Sequence, residues 1–527
     1  MRCDLDEATP PAIFSADVCV LGGGIAGLVL AQRLGALGLD VSLLEAGGPE
    51  LESRSQDLYN ARMLGVHHRG TTEGRFRTFG GSSTRWAGQL LPYPDETFRP
   101  RAAVGGIGWP IGPDDLRPFY AEVQKIMGVD SLSFDENFLS EISAPPLGHH
   151  EGVRLRFSKW SPPARRNLSW TLGPVCLASD RVTVYFHANA TRLEFAADGG
   201  DVTGVVVKNY LGGTFRFNAR RYVVAVGAIE TSRLLLHSER ENPARATRGQ
   251  GQVGRYFFDH PTAEVAGISE KAYPLLKKYF APHYLRKTLH TARLETSAAF
   301  QEKEGILAVM GHFEFEEPEG TSLALARQFM HDVIQGRIWR KGGRNWADLP
   351  RAVLGAVTAA YDLKVRGRRF PTPQARMCLR FDAEQKPDAD SRLLLSDETD
   401  VLGMPRLAIN WKRSEEENRS LQAFARPVDS FVRALGMEMD WVPGMIDNPE
   451  AWFMRGADIF HPMGGARMGL SPATSVVDAN LCLHGTTNCF VASTAVYPTG
   501  GSSNPTFTLM TLSLRLAEHL RRVLKKQ

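Results

Sequence analysis

The stretch Asp17-Val-Cys-Val-Leu-Gly-Gly-Gly-Ile-Ala-Gly27 decides the fold of this chain. Its apolar start predicts a short buried strand, and residues 28–34, which follow the glycines, predict a helix. A second predicted strand, Val41–Leu44, ends at the acidic residue Glu45. The order strand, glycine turn, helix, strand and acid is typical of a Rossmann-like dinucleotide-binding unit.

Each glycine at the motif positions of this turn has a physical task. Gly22 permits a tight turn, Gly24 lets a pyrophosphate approach the backbone, and Gly27 lets the helix pack against the strand. The start of the helix presents free N–H groups and a partial positive charge to phosphates, while Glu45 can accept hydrogen bonds from a ribose. The motif alone predicts a dinucleotide and leaves NAD and FAD as alternatives.

Two further segments predict contacts with the same ligand. In Arg75-Phe-Arg-Thr-Phe-Gly-Gly-Ser-Ser-Thr-Arg-Trp-Ala-Gly88, adjacent glycines and small hydroxyl residues let the backbone pass close to a flat or phosphorylated group. In Tyr222-Val-Val-Ala-Val-Gly-Ala-Ile-Glu-Thr231, a buried strand runs into a turn and then a helix. A purely structural glycine turn remains the alternative interpretation of the first segment.

These segments resemble the glucose–methanol–choline (GMC) family of oxidoreductases, and Gly108-Trp-Pro-Ile111 and Glu384-Gln-Lys-Pro387 resemble its bacterial branch near the glycoside and pyranose oxidoreductases. The resemblance implies that the glycine segments surround one FAD, with Ala190 near its adenine. Pyranose oxidases carry a flavin-linked histidine in a Ser-Thr-His-Trp context, where this chain has Arg85. Arginine cannot form that bond, so we expect FAD to be held non-covalently.

The region around residues 458–469 and 491–506 predicts the catalytic side chains. Oxidation of an alcohol by hydride transfer to flavin N5 needs a base for the hydroxyl proton and a donor that holds the substrate oxygen. His461 fits the base because the ordinary pKa of histidine is about 6.5, and Asn504 fits the donor. The resemblance implies the same pair. Since Asn504 precedes Pro505, an N-cap role in the next helix is the alternative.

The helix that follows Pro505 is expected to direct its N-terminus at the pyrimidine edge of the flavin, where reduction places negative charge. No metal site is predicted. The expected cofactor-binding residues are Gly22, Gly24, Ile25, Ala26, Gly27, Glu45, Ala46, Gly80, Gly81, Ser82, Ser83, Trp86, Ala190, Gly227, Ala228, Glu230, Ser493, Thr494, Asn504, Pro505 and Thr506.

Because these segments lie far apart, the sequence predicts an α/β protein with two discontinuous domains. We expect residues 14–90, 180–262 and 455–527 to form a Rossmann-like FAD-binding domain. We expect residues 91–179 and 263–454 to form an α+β substrate-binding domain on a mixed or antiparallel sheet.

The predicted activity is oxidation of a sugar, glycoside or polyol hydroxyl to a carbonyl, with His461 as base. The partners expected are a small-molecule alcohol and either oxygen or another electron acceptor. Two other functions stay open: an FAD-containing lyase of the same fold, and a flavoprotein electron carrier without an alcohol substrate of its own.

Bulk composition argues against several other classes of protein. The formal net charge of +4 is too small to predict binding to nucleic acid. The six scattered cysteines form no C-x-x-C motif, so we expect a reducing, cytoplasmic compartment. The N-terminus does not resemble a signal peptide, and no apolar stretch of about 20 residues predicts a membrane span. Residues 322–365 predict packed helices, and contact of residues 322–369 with a membrane or partner is the alternative.

Overall fold

The computed structural model describes residues 1–7, 13–142, 147–148, 150–245, 250–334, 346–372, 374–446, 448 and 456–525. Its strands are β1 (Arg2–Asp4), β2 (Ile13–Leu21), β3 (Val41–Leu44), β4 (Ala61–Met63), β5 (Gln89–Leu90), β6 (Val153–Trp160), β7 (Val182–Phe186), β8 (Asn189–Phe195), β9 (Val202–Lys208), β10 (Thr214–Val224), β11 (Pro261–Ile268), β12 (His283–Leu285), β13 (Thr288–Thr296), β14 (Val309–Glu316), β15 (Arg376–Ala383), β16 (Arg392–Thr399), β17 (Pro405–Asn410), β18 (Met439–Trp441), β19 (Ala457–Asp458) and β20 (Cys489–Val491).

The α-helices are α1 (Ile25–Ala36), α2 (Ser53–Gln56), α3 (Tyr120–Met127), α4 (Phe138–Glu141), α5 (Pro163–Arg166), α6 (Leu168–Ala178), α7 (Ala228–Arg240), α8 (Tyr273–Phe280), α9 (Ala298–Glu304), α10 (Ser322–Ile334), α11 (Leu349–Val365), α12 (Glu415–Ala434) and α13 (Thr506–Lys525). Short 3₁₀ turns cover Asp57–Tyr59, Arg69–Thr71, Gly81–Thr84, Asp95–Phe98, Ala102–Val104, Pro113–Asp115, Arg117–Phe119, Glu270–Ala272, Trp346–Asp348 and Thr494–Val496.

The first sheet has eight strands in the order β1-β7-β3-β2-β10-β9-β8, with β20 paired to β10. The pairs from β1 to β10 and the β10–β20 pair are parallel, whereas β9 and β8 are antiparallel to their neighbours. The apolar run at the end of β2 is fully buried, as expected for a strand covered on both faces. This sheet and α1 confirm the predicted Rossmann-like fold.

The second sheet has nine strands in the order β18-β11-β15-β14-β13-β6-β5, with β12 on β13 and β19 on β11. Among the described residues all of its strand pairs are antiparallel, which agrees with the predicted α+β architecture. Helix α12 lays Leu421, Phe424 and Val428 in the core that contains Val265 and Phe381 of the sheet. The apolar stripe of α12 therefore explains how this sheet is covered.

A third, three-stranded sheet in the order β16-β17-β4 joins distant parts of the chain. Strand β4 lies within the predicted FAD-binding ranges, and the other two lie within the predicted substrate-binding ranges. Leu393, Leu407, Ile409 and Trp411 form a separate small core beside this sheet. The two predicted domains thus share structure here, and their boundaries stay a prediction.

The start of β11 lies beside the segment that carries His461. Strand β11 starts at Pro261, directly after His260, and pairs with β19 so that Pro261 lies opposite Asp458. That pairing brings the backbone before β11 close to the segment after β19, which carries His461. In the part of the chain that the structure describes, no helix has the length and apolar character needed to cross a membrane.

Candidate active site

A cavity of about 590 Å³ connects the first glycine turn with the segment of His461. Most residues predicted from the sequence line it, including both catalytic candidates. The predicted residues in its wall are Gly22, Gly24, Ile25, Ala26, Glu45, Ala46, Gly81, Ser82, Trp86, Ala190, Gly227, Ala228, Glu230, His461, Ser493, Thr494, Asn504, Pro505 and Thr506.

Three predicted residues, Gly27, Gly80 and Ser83, lie behind the cavity wall instead. A Cβ atom on Gly27 would lie 1.8 Å from the carbonyl oxygen of Gly22, so this glycine keeps helix α1 tight against the turn. The N–H of Gly80 donates to the Gly23 carbonyl at 2.9 Å. The Ser83 hydroxyl donates to the Gly80 carbonyl at 2.6 Å. These residues shape the wall and do not form its surface.

The glycine turn leaves room for a ligand at the start of α1. Gly22 has a φ of +101°, and a Cβ there would lie 2.6 Å from the Ala225 carbonyl oxygen. Helix α1 has neither an acidic side chain in its first turn nor a side-chain cap, so its first N–H groups face an anion unopposed. The buried Glu45 accepts the N–H groups of Gly23 at 2.9 Å and Gly47 at 2.8 Å. Burial raises the pKa of Glu45 despite these bonds.

A cluster of arginines that was not predicted from the sequence lines the same cavity. Arg75 and Arg77 contact Glu230 at 3.3 and 3.4 Å, and Arg233 contacts it at 3.4 Å. Burial alone would raise the pKa of Glu230, but the charges of the three arginines outweigh it and lower that pKa. The guanidinium of Arg75 also lies 3.8 Å from the centre of the Tyr59 ring. An anionic pyrophosphate fits a wall with this excess of cations.

The catalytic candidates His461 and Asn504 are in direct contact. Asn504 Nδ2 lies 3.1 Å from His461 Nε2, and His461 Nδ1 lies 3.1 Å from Nδ1 of the fully buried His260. His260 Nε2 lies 3.3 Å from the Gly500 carbonyl oxygen. Burial, and then the nearby His260, lower the pKa of His461 well below its ordinary value. His461 is therefore neutral near pH 7 and able to accept a proton.

Asn504 does not cap the helix that follows it. Helix α13 begins at Thr506, and the Asn504 amide nitrogen contacts His461 rather than the helix backbone. Its buried Oδ1 has no hydrogen-bond partner among the described residues. A buried amide oxygen without a partner is costly, so its position in the cavity wall indicates a place for a ligand donor.

Asp259 holds both histidine segments through the backbone. Its Oδ1 accepts the N–H of His260 at 2.7 Å and the N–H of His461 at 3.0 Å. Its Oδ2 lies 3.1 Å from Nε2 of the buried His68. Phe460, directly before His461, has a φ of +64°, which is costly for a bulky residue. These constraints fix where the His461 side chain leaves the backbone.

His68, Asp259 and Asp458 also bring possible metal-ligand atoms within 4.8 Å of one another. Each group is nevertheless engaged in hydrogen bonds, because the two Asp458 oxygens accept the N–H groups of Arg69 and Gly70 at 2.8 Å. We therefore interpret this cluster as a scaffold for the histidine segments.

The two motifs quoted above for the bacterial branch anchor the loop before Asn504. Trp109 Nε1 donates to Thr499 Oγ1 at 2.9 Å. Glu384 Oε1 accepts the N–H of Gly501 at 2.9 Å and is itself paired with Arg101 at 2.6 Å. Fixing the loop on two sides holds the Asn504 amide in place beside His461.

The geometry defines a class: a Rossmann-like dinucleotide-binding protein with a neutral histidine in the wall of its ligand cavity. Residues 387–513 match the family model described as GMC oxidoreductase. Over these residues the chain is similar to the GMC oxidoreductases, and the protein is an FAD-dependent alcohol oxidoreductase. The glycine turn, the arginine cluster and the cavity fit FAD.

Curated relatives match almost the whole chain. The fructose dehydrogenase large subunit of Gluconobacter japonicus is 24% identical, over 97% of this chain and 99% of the relative. Paromamine 6'-oxidase of Streptomyces fradiae is 25% identical, over 95% and 90%. The 2-methyl-1,2-propanediol dehydrogenase of Mycolicibacterium austroafricanum is 23% identical, over 96% and 95%.

Solved structures share the fold. A formate oxidase superposes with a TM-score of 0.56 at 17% identity, over 98% of this chain and all of that one. Pyridoxine 4-oxidase from Mesorbium loti gives a TM-score of 0.54 at 18% identity, over 96% and 99%. At these identities the likeness shows the fold alone and does not identify a substrate.

Proposed function

We propose that this protein oxidises a sugar, glycoside or polyol hydroxyl to a carbonyl, with His461 as the base. The observation that carries the proposal is the contact between His461 and Asn504 in the wall of a cavity that fits FAD. Bound FAD supplies the acceptor for the hydride that leaves the alcohol carbon.

In the proposed reaction the substrate hydroxyl replaces the Asn504 amide at Nε2 of His461, and that nitrogen takes the hydroxyl proton. Its lowered pKa supports this role, because the imidazole is then unprotonated before the substrate arrives. Asn504 is proposed to donate from Nδ2 to the same substrate oxygen while negative charge develops on it. The helix α13, whose first residues line the cavity, adds the positive end of its dipole to that region.

The names of the relatives support the proposed substrate class. Fructose and 2-methyl-1,2-propanediol, which appear in the names of two of them, both carry more than one hydroxyl group. The cavity wall offers polar groups such as Ser82, Thr494 and Arg85 that can bind such groups, although bound FAD takes up part of the space.

An anaerobic screen of sugars, glycosides and polyols, with flavin absorbance as the signal, tests the proposal. Rapid bleaching by one of these classes is expected. Bleaching only by unrelated alcohols would contradict the substrate class. An intact, FAD-loaded protein that no alcohol reduces would instead favour the lyase or the electron carrier.

We further propose non-covalent FAD and a cytoplasmic location. Arg85 lines the cavity in place of a linking histidine, and the six cysteines are all free, which suits a reducing compartment. Acid precipitation followed by filtration should release all of the yellow cofactor into the filtrate. Colour that stays with the precipitate would contradict the non-covalent attachment.

A further inference from the structure

His260 lies behind the cavity wall, and each of its two ring nitrogens contacts a polar group. It contacts the Gly500 carbonyl through Nε2 and His461 through Nδ1. A carbonyl oxygen only accepts hydrogen bonds, so Nε2 of His260 carries the proton. In a neutral ring Nδ1 is then the acceptor, and the neighbouring Nδ1 of His461 must be the donor.

We propose that His260 is a positioning residue that sets the tautomer of His461 and leaves Nε2 of that histidine unprotonated. The other end of the chain of contacts agrees, because the Asn504 amide nitrogen beside His461 Nε2 can only donate. The Gly500 carbonyl and the Asn504 amide therefore lead independently to the same assignment, with the proton of His461 on Nδ1 and none on Nε2. The inference rests on the proposed role of His461 as base.

The surroundings of His260 leave little freedom to change this arrangement. The ring is fully buried, and its backbone N–H is bonded to Asp259 at 2.7 Å. A Cβ on Gly500 would lie 3.2 Å from His260 Nε2 and 2.8 Å from the Phe258 ring, so the backbone of Gly500 passes close to the imidazole with no room for a side chain. Without His260, His461 Nδ1 would lose its acceptor, and the proton could move to Nε2, where it blocks the base.

Two variants of His260 distinguish positioning from packing. His260→Leu removes the acceptor, whereas His260→Asn places an amide oxygen where Nδ1 was. We expect Leu to slow flavin reduction about 100-fold and Asn to restore most of that loss, since loss of general-base function costs about 10²–10⁴-fold. Both variants should bind FAD and melt within a few degrees of each other.

Nitrogen-15 NMR of ring-labelled histidine gives a readout without turnover. In the FAD-loaded wild type, the His461 signals, assigned by their loss in His461→Ala, should show a protonated Nδ1 and a bare Nε2. In His260→Leu the bare nitrogen should become Nδ1. An unchanged tautomer, or equal losses for Leu and Asn, overturns the proposal. If His461→Ala itself reduces flavin normally, the proposed function fails instead.

A second observation concerns helix α11, which carries an apolar face with no cover among the described residues. Val353, Leu354, Val357, Tyr361 and Val365 are each more than half exposed. The opposite face is packed: Ala352 is buried, and a Cβ on Gly355 would lie 2.0 Å from the Ser322 carbonyl at the start of α10. The orientation of the apolar face is thus fixed by the α10–α11 contact.

The charges on this face are of one sign. Arg351 and Lys364 are its exposed charged residues within α11, and Asp362 lies on the buried side, paired with Arg366 at 2.9 Å. Asp348, just before the helix, lies 3.9 Å from Arg351. An apolar face with basic residues at both ends matches an anionic lipid surface. We infer that α11 docks on anionic membranes.

The position of α11 separates docking from catalysis. Helices α10 and α11 connect β14 to β15 at the end where Glu316 pairs with Arg376. The other end of these strands leads to Glu384, which holds the loop before Asn504. Variants on α11 should therefore keep normal flavin reduction.

Co-sedimentation with vesicles tests the docking surface. We expect binding to phosphatidylcholine vesicles that contain phosphatidylglycerol, weaker binding at high salt, and about tenfold weaker binding for the double variant Leu354→Asp with Val357→Asp. Leu470→Asp, at an exposed leucine elsewhere, is the matched control. Wild-type protein that does not bind the vesicles containing phosphatidylglycerol overturns the inference. So does a dimer in light scattering that only the double variant breaks, because a second copy would then cover the face.

Discussion

Replacement of His461 by alanine should slow the reduction of bound flavin by alcohol about 10²- to 10⁴-fold, or roughly 3–5 kcal/mol in the barrier. The size follows from the structure, because the only imidazole nitrogen that meets Asn504 in the cavity wall is lost, and no other histidine lines the described cavity. The alanine also leaves His260 Nδ1 without a partner, which costs about 1–3 kcal/mol in the free energy of unfolding. That cost affects stability and not the barrier.

Anaerobic stopped-flow with the alcohol found in the screen measures the rate of flavin reduction directly. The control is His67→Ala, which removes an exposed imidazole beside the buried His68. Both variants are first checked for FAD content and melting temperature. A His461→Ala protein that holds FAD and is reduced as fast as wild type would refute the assignment of the base and the chemistry built on it.

Three further predictions test other parts of the site. Gly27→Ala should lower the FAD content of purified protein, because the new Cβ would clash with the Gly22 carbonyl. The control Gly112→Ala should keep its FAD, because no atom lies within 4 Å of the Cβ that it adds. Equal FAD contents in the two variants would contradict this prediction. Arg233→Met should lower the free energy of unfolding in urea by about 3–5 kcal/mol, since it strands the buried Asp400 carboxylate 2.6 Å away; a loss under 1 kcal/mol would contradict it. Because the pKa of His461 is lowered in the folded protein, the unfolded protein binds a proton at this histidine at a higher pH, so the free energy of unfolding falls as pH drops below about 6.5. The rate of flavin reduction should stay constant between pH 6.5 and 8, because His461 is unprotonated over that range. A rate that falls with decreasing pH above pH 6.5 in stopped-flow would contradict this prediction.

The sequence predicted the parts of the site that depend on local geometry. The glycine turn at Gly22 and the acid at Glu45 belong to one short strand–helix–strand unit, whose form follows from nearby residues. His461 and Asn504 were predicted as the catalytic pair because each lies beside a glycine-rich turn and their chemistry suits alcohol oxidation, and because the family resemblance implies the same pair. Their contact at 3.1 Å is a product of tertiary structure.

The missed residues depend on long-range packing. Arg75 and Arg77 are two residues apart in the segment 75–88. In extended backbone this spacing places both side chains on the same side of the chain, so it was a usable signal. Their partner Glu230 lies more than 150 residues away, so no local pattern could show the ion pairs. His260 carries no motif of its own, and its role follows only from the pairing of β11 with β19.

The late strand β20 has a consequence for biosynthesis. It pairs in parallel with the end of β10, where Tyr222 lies opposite Cys489. Until the ribosome has released residues 489–491, that edge of β10 exposes unpaired amide and carbonyl groups in the middle of the nascent first sheet. A chain that ends before residue 489 would expose this unpaired edge of β10 to other chains. We therefore expect premature termination to yield aggregates rather than a smaller protein that binds the cofactor.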